Sequence, residues 1–164
     1  HAARRNIDLT ALIMNNGIYG MTGGQFSPMT PSGRRATTAP FGAFNVPFDI
    51  VELARGAGAA FVARTTTYHV KEMIRVIAKA IRHKGFSVVE ILSQCPTYYG
   101  KQNKLGNAVD MMNRFRMDTV PLGSKRKTEK PDLIERGIFV EEERHEDVTS
   151  YLEHIEQYRE SSES

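Results

Sequence analysis

Short apolar runs alternate with helical patterns along the first half of the chain, and this alternation restricts the fold more than any other feature. The runs at 10–14, 60–63 and 86–92 have the length and composition of buried strands. Residues 68–83 repeat apolar side chains at helical spacing, and Pro47 is suited to the first turn of another helix. Strands that alternate with helices form parallel sheets, so we predict an α/β fold, a parallel sheet flanked by helices.

The second half of the chain has a weaker and more polar pattern. It predicts a helix over 106–117, a polar connector over 118–131, an edge strand over 137–140 and a charged helix over 146–159. A solvated tail of Ser and Glu residues is expected to follow the last helix.

Composition excludes several classes of protein. The chain has 164 residues, of which 40% are hydrophobic, and this suits one ordinary globular domain. Its apolar runs fall short of the roughly 20 residues that a membrane-spanning helix needs. The net charge is +3 and the basic residues are scattered, whereas a nucleic-acid-binding protein usually shows a dense basic stripe. We therefore expect neither a membrane nor a nucleic acid as partner, and only the pI of about 9.1 favours an RNA-binding domain.

The single cysteine, Cys95, excludes an internal disulfide and fits a reducing compartment, so we expect a cytoplasmic protein. The chain opens at His1 without an initiator methionine, and no apolar signal core follows. We interpret this start as a cut through a longer protein.

The loop after the first predicted strand is the first candidate site. It extends to about Val46, is rich in Gly, Pro, Ser and Thr, and carries aromatic residues, so we expect an ordered functional loop. It begins at Asn15 and Asn16, whose amide oxygens suit Mg²⁺, and its glycines allow a close approach to a ligand. On this pair alone, a strand-end turn is the favoured interpretation over a metal–diphosphate site.

The loop after the third predicted strand carries Cys95 and is the second candidate site. A lone cysteine is usually a small buried apolar residue. The functional alternatives are a nucleophile or a metal ligand. His69, His83 and His145 lie on or beside helices, and none is an obvious base for a nucleophile. We interpret these histidines as surface residues. Parallel sheets bind ligands beyond the carboxyl ends of their strands, so the two loops should share one edge.

Longer segments carry a resemblance to a known family. The segments are HAARRNIDLTALIMNNGIYGMTGGQFSPMTP, TTAPFG, PFDIVELARGAGAAFVART, HKGFSVVEILSQCPTYYGKQN and VPL. In their order and spacing these segments resemble the thiamine-diphosphate-binding β subunit of 2-oxoacid:ferredoxin oxidoreductases, most of all the 2-oxoglutarate members. The resemblance implies the thiamine-diphosphate-binding fold without its amino-terminal part. Residues 1–122 would be the carboxy-terminal part of that domain, and 123–164 a connector and helical tail.

The resemblance also implies the cofactors and the residues that hold them. The Asn16 side chain and the Ile18 carbonyl would ligate Mg²⁺, together with an aspartate that would precede His1. Cys95 would be one ligand of a [4Fe-4S] cluster. The residues that would bind thiamine diphosphate are Asn15, Asn16, Ile18, Tyr19, Gly20, Met21 and Thr22.

The activity implied is the oxidative decarboxylation of a 2-oxoacid with coenzyme A and ferredoxin. The active site would be completed by an α subunit, and the chemistry is the cofactor's own, so no catalytic side chain is assigned. The alternative is a non-catalytic α/β interaction module that has kept the loops and lost its cofactor.

Overall fold

A computed structural model describes residues 1–162 of the chain. It contains six α-helices, five strands and one five-residue π-helix. The α-helices are α1 (Ala2–Arg5), α2 (Ile50–Gly56), α3 (Val70–Arg82), α4 (Ala108–Asp118), α5 (Lys125–Glu129) and α6 (Asp147–Ser162). The strands are β1 (Leu9–Asn15), β2 (Phe61–Thr66), β3 (Phe86–Leu92), β4 (Thr119–Pro121) and β5 (Ile134–Glu141), and the π-helix is Pro96–Gly100.

The strands form one sheet in the order β1-β3-β2-β5-β4. β1, β3 and β2 are parallel to one another, with Ile13 beside Glu90 and Arg64 on the other side of Glu90. This confirms the predicted α/β fold and its parallel strands. The sheet is nevertheless mixed, because β5 runs antiparallel to β2.

Two hydrophobic clusters cover the two faces of this sheet. On one face, Val51 of α2 packs with Val62 and Val88. On the other face, Val76 of α3 packs with Phe61 and Val89. β2 and β3 are therefore covered on both sides.

The run 10–14 was predicted to be a fully covered strand, and this is wrong. Among residues 1–162, β1 pairs only with β3, at one edge of the sheet, and exposes Leu12 and Met14.

Helices α2 and α4 begin after residues whose side chains cap them. α2 was predicted from Pro47 but begins after Asp49, whose Oδ1 accepts hydrogen bonds from the backbone N–H groups of Val51 (2.9 Å) and Glu52 (3.2 Å). α4 begins after Asn107, which forms a capping box with Asp110.

The second half of the chain departs from the prediction in one important respect. β5 was predicted as an edge strand, but it lies inside the sheet between β2 and β4. Its Phe139 and Ile138 contact the two opposite hydrophobic clusters, which explains its internal position. The edge strands are β1 and β4, and β4 lies in a segment predicted to be a connector. The domain boundary after Leu122 stays a prediction.

α6 confirms the predicted charged helix, and no residue of this helix is buried. The serines at 161 and 162 belong to α6, and the rest of the predicted tail, 163–164, lies outside the described residues. Among residues 1–162, no helix is both long enough and apolar enough to cross a membrane.

Candidate functional site

The end of β1 is fixed by the side chain of Asn15. Its Nδ2 donates a 2.7 Å hydrogen bond to Oε1 of Glu90, on the neighbouring strand β3. Its Oδ1 accepts from the backbone N–H of Gly17 at 3.0 Å. Both ends of this amide are therefore used to turn the chain out of the strand.

Glu90 belongs to a buried charged network that lies under this turn. Its Oε2 accepts a 2.6 Å hydrogen bond from Nε of Arg64, and Arg64 Nη2 donates to Asp49 at 2.7 Å. Glu90 is only 2% exposed and Arg64 9%. A buried ion pair holds its partners firmly, because a charge left alone there is costly. The network joins the first residue of the loop, Asn15, to Asp49 near its end.

Asn16 shapes the next turn of the loop. Its Oδ1 accepts a 3.2 Å hydrogen bond from the backbone N–H of Ile18, and Gly17 takes the left-handed backbone angle φ 70° that this turn needs. Ile18 is buried. Within the described residues, no hydrogen bond ends at the Ile18 carbonyl or begins at Asn16 Nδ2.

The rest of the loop is ordered by local hydrogen bonds, as predicted. The buried Thr30 donates through Oγ1 to the Gly17 carbonyl at 2.7 Å. The Tyr19 N–H donates to the Gln25 carbonyl at 3.0 Å, which closes a small turn around Gly20, Met21 and Thr22. Met21 is fully exposed at the tip of this turn.

The two candidate loops meet, as expected from the parallel strands. A Cβ atom at Gly20 would lie 3.2 Å from Cys95 Sγ and 3.7 Å from Asn16 Nδ2, so Gly20 lies between these two side chains. A Cβ atom at Gly24 would lie 2.7 Å from the ring of Tyr98. Glycine is thus required where the π-helix packs on the first loop.

Asn103 links the same two segments through its side chain. Its Oδ1 accepts from the Arg35 N–H at 2.8 Å, and its Nδ2 donates to the carbonyls of Arg35 and Tyr99, both at 3.0 Å. Tyr99 is half-buried beside Gly17. Burial raises the pKa of its phenol, an effect partly opposed by Arg34 and Arg114.

Cys95 is half-buried and free. It precedes Pro96, the first residue of the π-helix, and its carbonyl accepts from the Gly100 N–H at 2.9 Å. The residue therefore lies on a short, well-defined turn that keeps its sulfur next to Gly20.

His145 is exposed, as predicted, but His69 and His83 are half-buried and not surface residues. The His83 ring packs against the buried Phe61, with the ring centroids 5.5 Å apart. His69 lies nearer the candidate loops. Its Nδ1 lies 2.8 Å from Oγ1 of the buried Thr66, at the carboxyl end of β2. Burial lowers the pKa of His69, the nearby Arg136 lowers it further, and Glu72 partly opposes the shift. Its position in the sequence gave no sign of this environment.

The available metal-ligating groups limit which cofactors this chain can hold by itself. No group of three or more His, Cys, Asp or Glu side chains is arranged for a metal ion within residues 1–162. The amide oxygen of Asn16 and the Ile18 carbonyl suit a hard cation that also binds phosphate oxygens. Cys95 offers one thiolate where an iron–sulfur cluster commonly needs four, so the chain alone does not fit a cluster.

Comparisons with known proteins agree with this geometry. The family model described as thiamine pyrophosphate enzyme, C-terminal TPP binding domain, matches residues 1–91, more than half of the chain. The 2-oxoglutarate synthase subunit KorB of Methanothermobacter thermautotrophicus is 46% identical over 142 residues, which cover 87% of this chain and 49% of that subunit. The KorB subunit of Archaeoglobus fulgidus is 53% identical over 98 residues, 60% of this chain and 37% of its own length.

A solved structure shares the fold. It is the 2-oxoglutarate:ferredoxin oxidoreductase from Magnetococcus marinus with 2-oxoglutarate, coenzyme A and succinyl-CoA bound. The TM-score is 0.81 at 26% identity, and the match covers 96% of this chain and 55% of that one. The chain thus spans about half the length of the relatives that it matches.

Proposed function

This chain belongs to the thiamine pyrophosphate enzymes through their C-terminal TPP-binding domain, and from that premise we propose that it forms part of the β subunit of a 2-oxoacid:ferredoxin oxidoreductase that acts on 2-oxoglutarate. The KorB relatives, named for 2-oxoglutarate synthase, support this choice of substrate. We further propose that coenzyme A is the acyl acceptor, ferredoxin the electron acceptor, and the cytoplasm the site of the reaction.

The observation that carries the proposal is the meeting of the two loops around Gly20. Asn16 and Cys95 are 79 residues apart in sequence, yet both side chains lie against this one glycine. The loops extend from the carboxyl ends of neighbouring parallel strands, where such sheets bind their ligands.

In this proposal the first loop binds thiamine diphosphate through Mg²⁺. The Asn16 side chain and the Ile18 carbonyl ligate the metal, while Tyr19, Gly20, Met21 and Thr22 lie along the cofactor. Asn15 has a different role. Its amide forms hydrogen bonds with Glu90 and with the Gly17 N–H, and these keep the turn in position. When bound, thiamine diphosphate supplies the chemistry that releases carbon dioxide from the 2-oxoacid.

Cys95 is proposed as one thiolate ligand of a [4Fe-4S] cluster whose other ligands come from outside this chain. Its place beside Gly20 supports this role, since an electron acceptor is needed close to the cofactor. The Pro96 ring restricts the backbone next to the ligand.

An α subunit is the proposed structural partner. The loop that follows the cofactor-binding turn exposes aromatic side chains to solvent, with Phe41 100% and Phe44 93% exposed. Aromatic residues that are exposed together are typical of protein interfaces.

The test is made on the intact complex. We expect 2-oxoglutarate and coenzyme A together to drive the reduction of ferredoxin, and Cys95→Ala to lower the iron content, alter the EPR spectrum of the reduced complex and slow ferredoxin reduction. Unchanged iron, spectrum and rate would make Cys95 a small buried residue only. A complex without any oxoacid-dependent reduction would instead favour the non-catalytic interaction module.

A further inference from the structure

Five cations surround the π-helix and together form what we call the basic patch: Arg34, Arg35, Lys101, Lys104 and Arg114. Asn103 joins the backbone of Arg35 to the π-helix, directly between Lys101 and Lys104. Arg34 and Arg114 are both close enough to Tyr99 to affect its ionisation. The patch thus draws on the first loop, the π-helix segment and α4.

The side chains of the basic patch are not neutralised by nearby carboxylates. Residues 15–48 and 93–109, which hold the two loops, contain four Arg or Lys residues and no Asp or Glu. The carboxylates that follow these ranges, Asp49 and Asp110, are engaged by Arg64 and by the Asn107 N–H. Across residues 1–162, none of the five patch side chains takes part in an ion pair. Some other exposed cations pair, as Lys79 does with Glu141 and Lys84 with Asp8, while Arg4 and Arg82 do not within the same residues. The patch differs because it brings five unpaired cations around one segment. Uncompensated charges of one sign produce a positive field that attracts an anionic partner.

The basic patch also lies close to Cys95, the proposed cluster ligand, from which electrons would leave the enzyme. The Gly100 N–H donates to the Cys95 carbonyl at 2.9 Å, so a single π-helical turn separates Cys95 from Lys101. Electron transfer between proteins needs a short path, and a carrier must therefore dock near the group that reduces it. An area spread over two loops and a helix is wider than one phosphate group requires and suits the face of a protein.

We propose that the basic patch is the docking surface for an acidic electron-carrier protein of the ferredoxin class. This inference rests on the proposed function and adds to it the place where the carrier binds. Docking brings the oxidised carrier next to the reduced centre of the enzyme, and one electron passes from enzyme to carrier without any bond being made or broken. The 2-oxoacid is the source of that electron.

The experiment uses the intact complex and the double variant Arg35→Glu with Lys104→Glu. Both side chains are exposed and do not touch the proposed cofactor ligands, so the fold and the chemistry should persist. With the oxidised complex and no substrate, we expect the Kd for a negatively charged ferredoxin to rise about tenfold or more at low salt. High salt should shrink this difference, because ions screen exposed charges.

The control variant carries the same change of charge at the opposite edge of the sheet. Arg4→Glu with Arg82→Glu alters two exposed cations that form no ion pair among residues 1–162. We expect the Kd for ferredoxin to change less than twofold in this control. An equal loss of binding in both double variants would overturn the proposal, since net charge rather than the patch would then govern binding.

A second readout separates this inference from the proposed function. Methyl viologen is a small electron acceptor that needs no docking surface. The rate at which the complex reduces it, with 2-oxoglutarate and coenzyme A supplied, should therefore be the same in wild type and in the patch variant. An unchanged Kd for ferredoxin together with a raised KM for coenzyme A would overturn docking and assign the patch to a nucleotide anion. A wild-type complex that never reduces methyl viologen would contradict the proposed function, while the ferredoxin titration would still decide on docking.

Discussion

At the amino edge of the parallel strands the connections are short and are tied together by the polar side chains of Asn6 and Asp8. At the carboxyl edge the connections are long and, within residues 1–162, keep an amide donor and a group of cations unpaired. Asn6, at the amino edge, is buried and forms three hydrogen bonds, accepting from the Phe86 N–H and donating to the carbonyls of Arg144 and His145. Nearby, Asp8 pairs with Lys84 at 3.0 Å.

The carboxyl edge uses its polar groups differently. Asn15 is fully engaged by Glu90 and Gly17, but the next residue, Asn16, uses only its oxygen within the described chain. The basic patch lies on this edge without counter-ions. The difference indicates that the polar groups of the amino edge serve stability. At the carboxyl edge a buried network serves stability, and the loops above it keep groups available for ligands and partners.

The largest effect is expected from the charged network that supports the carboxyl edge. Glu90→Gln leaves Arg64 buried with a neutral partner on one side, so we expect the free energy of unfolding to fall by about 3 kcal/mol. Thermal and denaturant unfolding measure this. Glu52→Gln is the control, because Glu52 pairs with Arg55 on the exposed surface and should change stability by less than about 1 kcal/mol. Similar losses in both variants would contradict a special role of the network.

Asn6→Ala should show most clearly that the two edges of the sheet have different roles, because it should lower stability without changing cofactor affinity. The variant loses three hydrogen bonds and places Ala at φ 54°, so we expect a loss of about 2 kcal/mol in stability. Thiamine-diphosphate affinity of the folded complex should not change. Asn45→Ala, at an exposed loop position, should leave both stability and affinity near wild type. A fall in cofactor affinity with Asn6→Ala would break the distinction between the edges.

A pair of glycines tests the packing of the two loops. Gly24 and Gly33 have nearly the same backbone angle, φ 80° and 78°, but a Cβ atom would clash with Tyr98 only at Gly24. Gly33→Ala should therefore cost about 1 kcal/mol for its left-handed backbone alone. Gly24→Ala should cost at least about 1 kcal/mol more through overpacking and should also displace the Cys95 segment. Equal unfolding midpoints for the two variants would mean that the loops do not pack as described.

The smallest loss of stability is expected when the ion pair between Asp8 and Lys84 at the amino edge is removed. Hydrogen bonds from Lys84 and from the Gly85 N–H hold the pKa of Asp8 below its usual value. A lowered carboxyl pKa stabilises the fold above about pH 4, and this contribution is lost as the pH falls through the folded-state pKa. Asp8→Asn should lower stability by about 0.5 kcal/mol or less at pH 7, since the pair is exposed, and the two proteins should converge as the pH falls below the folded-state pKa of Asp8. A constant difference across this range would exclude ionisation as its cause.

The sequence predicted the parallel part of the sheet because each of its strands is a continuous apolar run. It also placed Asn16 and Cys95 at one edge, since parallel strands end on the same side. It did not predict that β5 would enter the sheet antiparallel to β2, because its pairing depends on both neighbours and its own sequence is only partly apolar.

The buried pair of Arg64 and Glu90 was also missed, although a signal existed. Each is a charged residue inside an otherwise buried strand, and their charges are opposite. Such residues are rarely buried unless they are paired, so this pattern is a signal that the two strands are neighbours. The roles of Asn16, Ile18 and Cys95 as ligands depend on groups outside this chain and stay predictions.

The measurement that tests the account most directly is the thiamine-diphosphate affinity of the intact complex at limiting Mg²⁺, in wild type and in Asn16→Ala. We expect the variant to bind the cofactor at least about tenfold more weakly when Mg²⁺ is scarce and to recover partly when Mg²⁺ is abundant, because one of the metal ligands is lost. Ser32→Ala, which changes an exposed hydroxyl of the same loop, is the control and should match wild type. An affinity of Asn16→Ala equal to wild type at every Mg²⁺ concentration would contradict the assignment of this edge as the metal–diphosphate site.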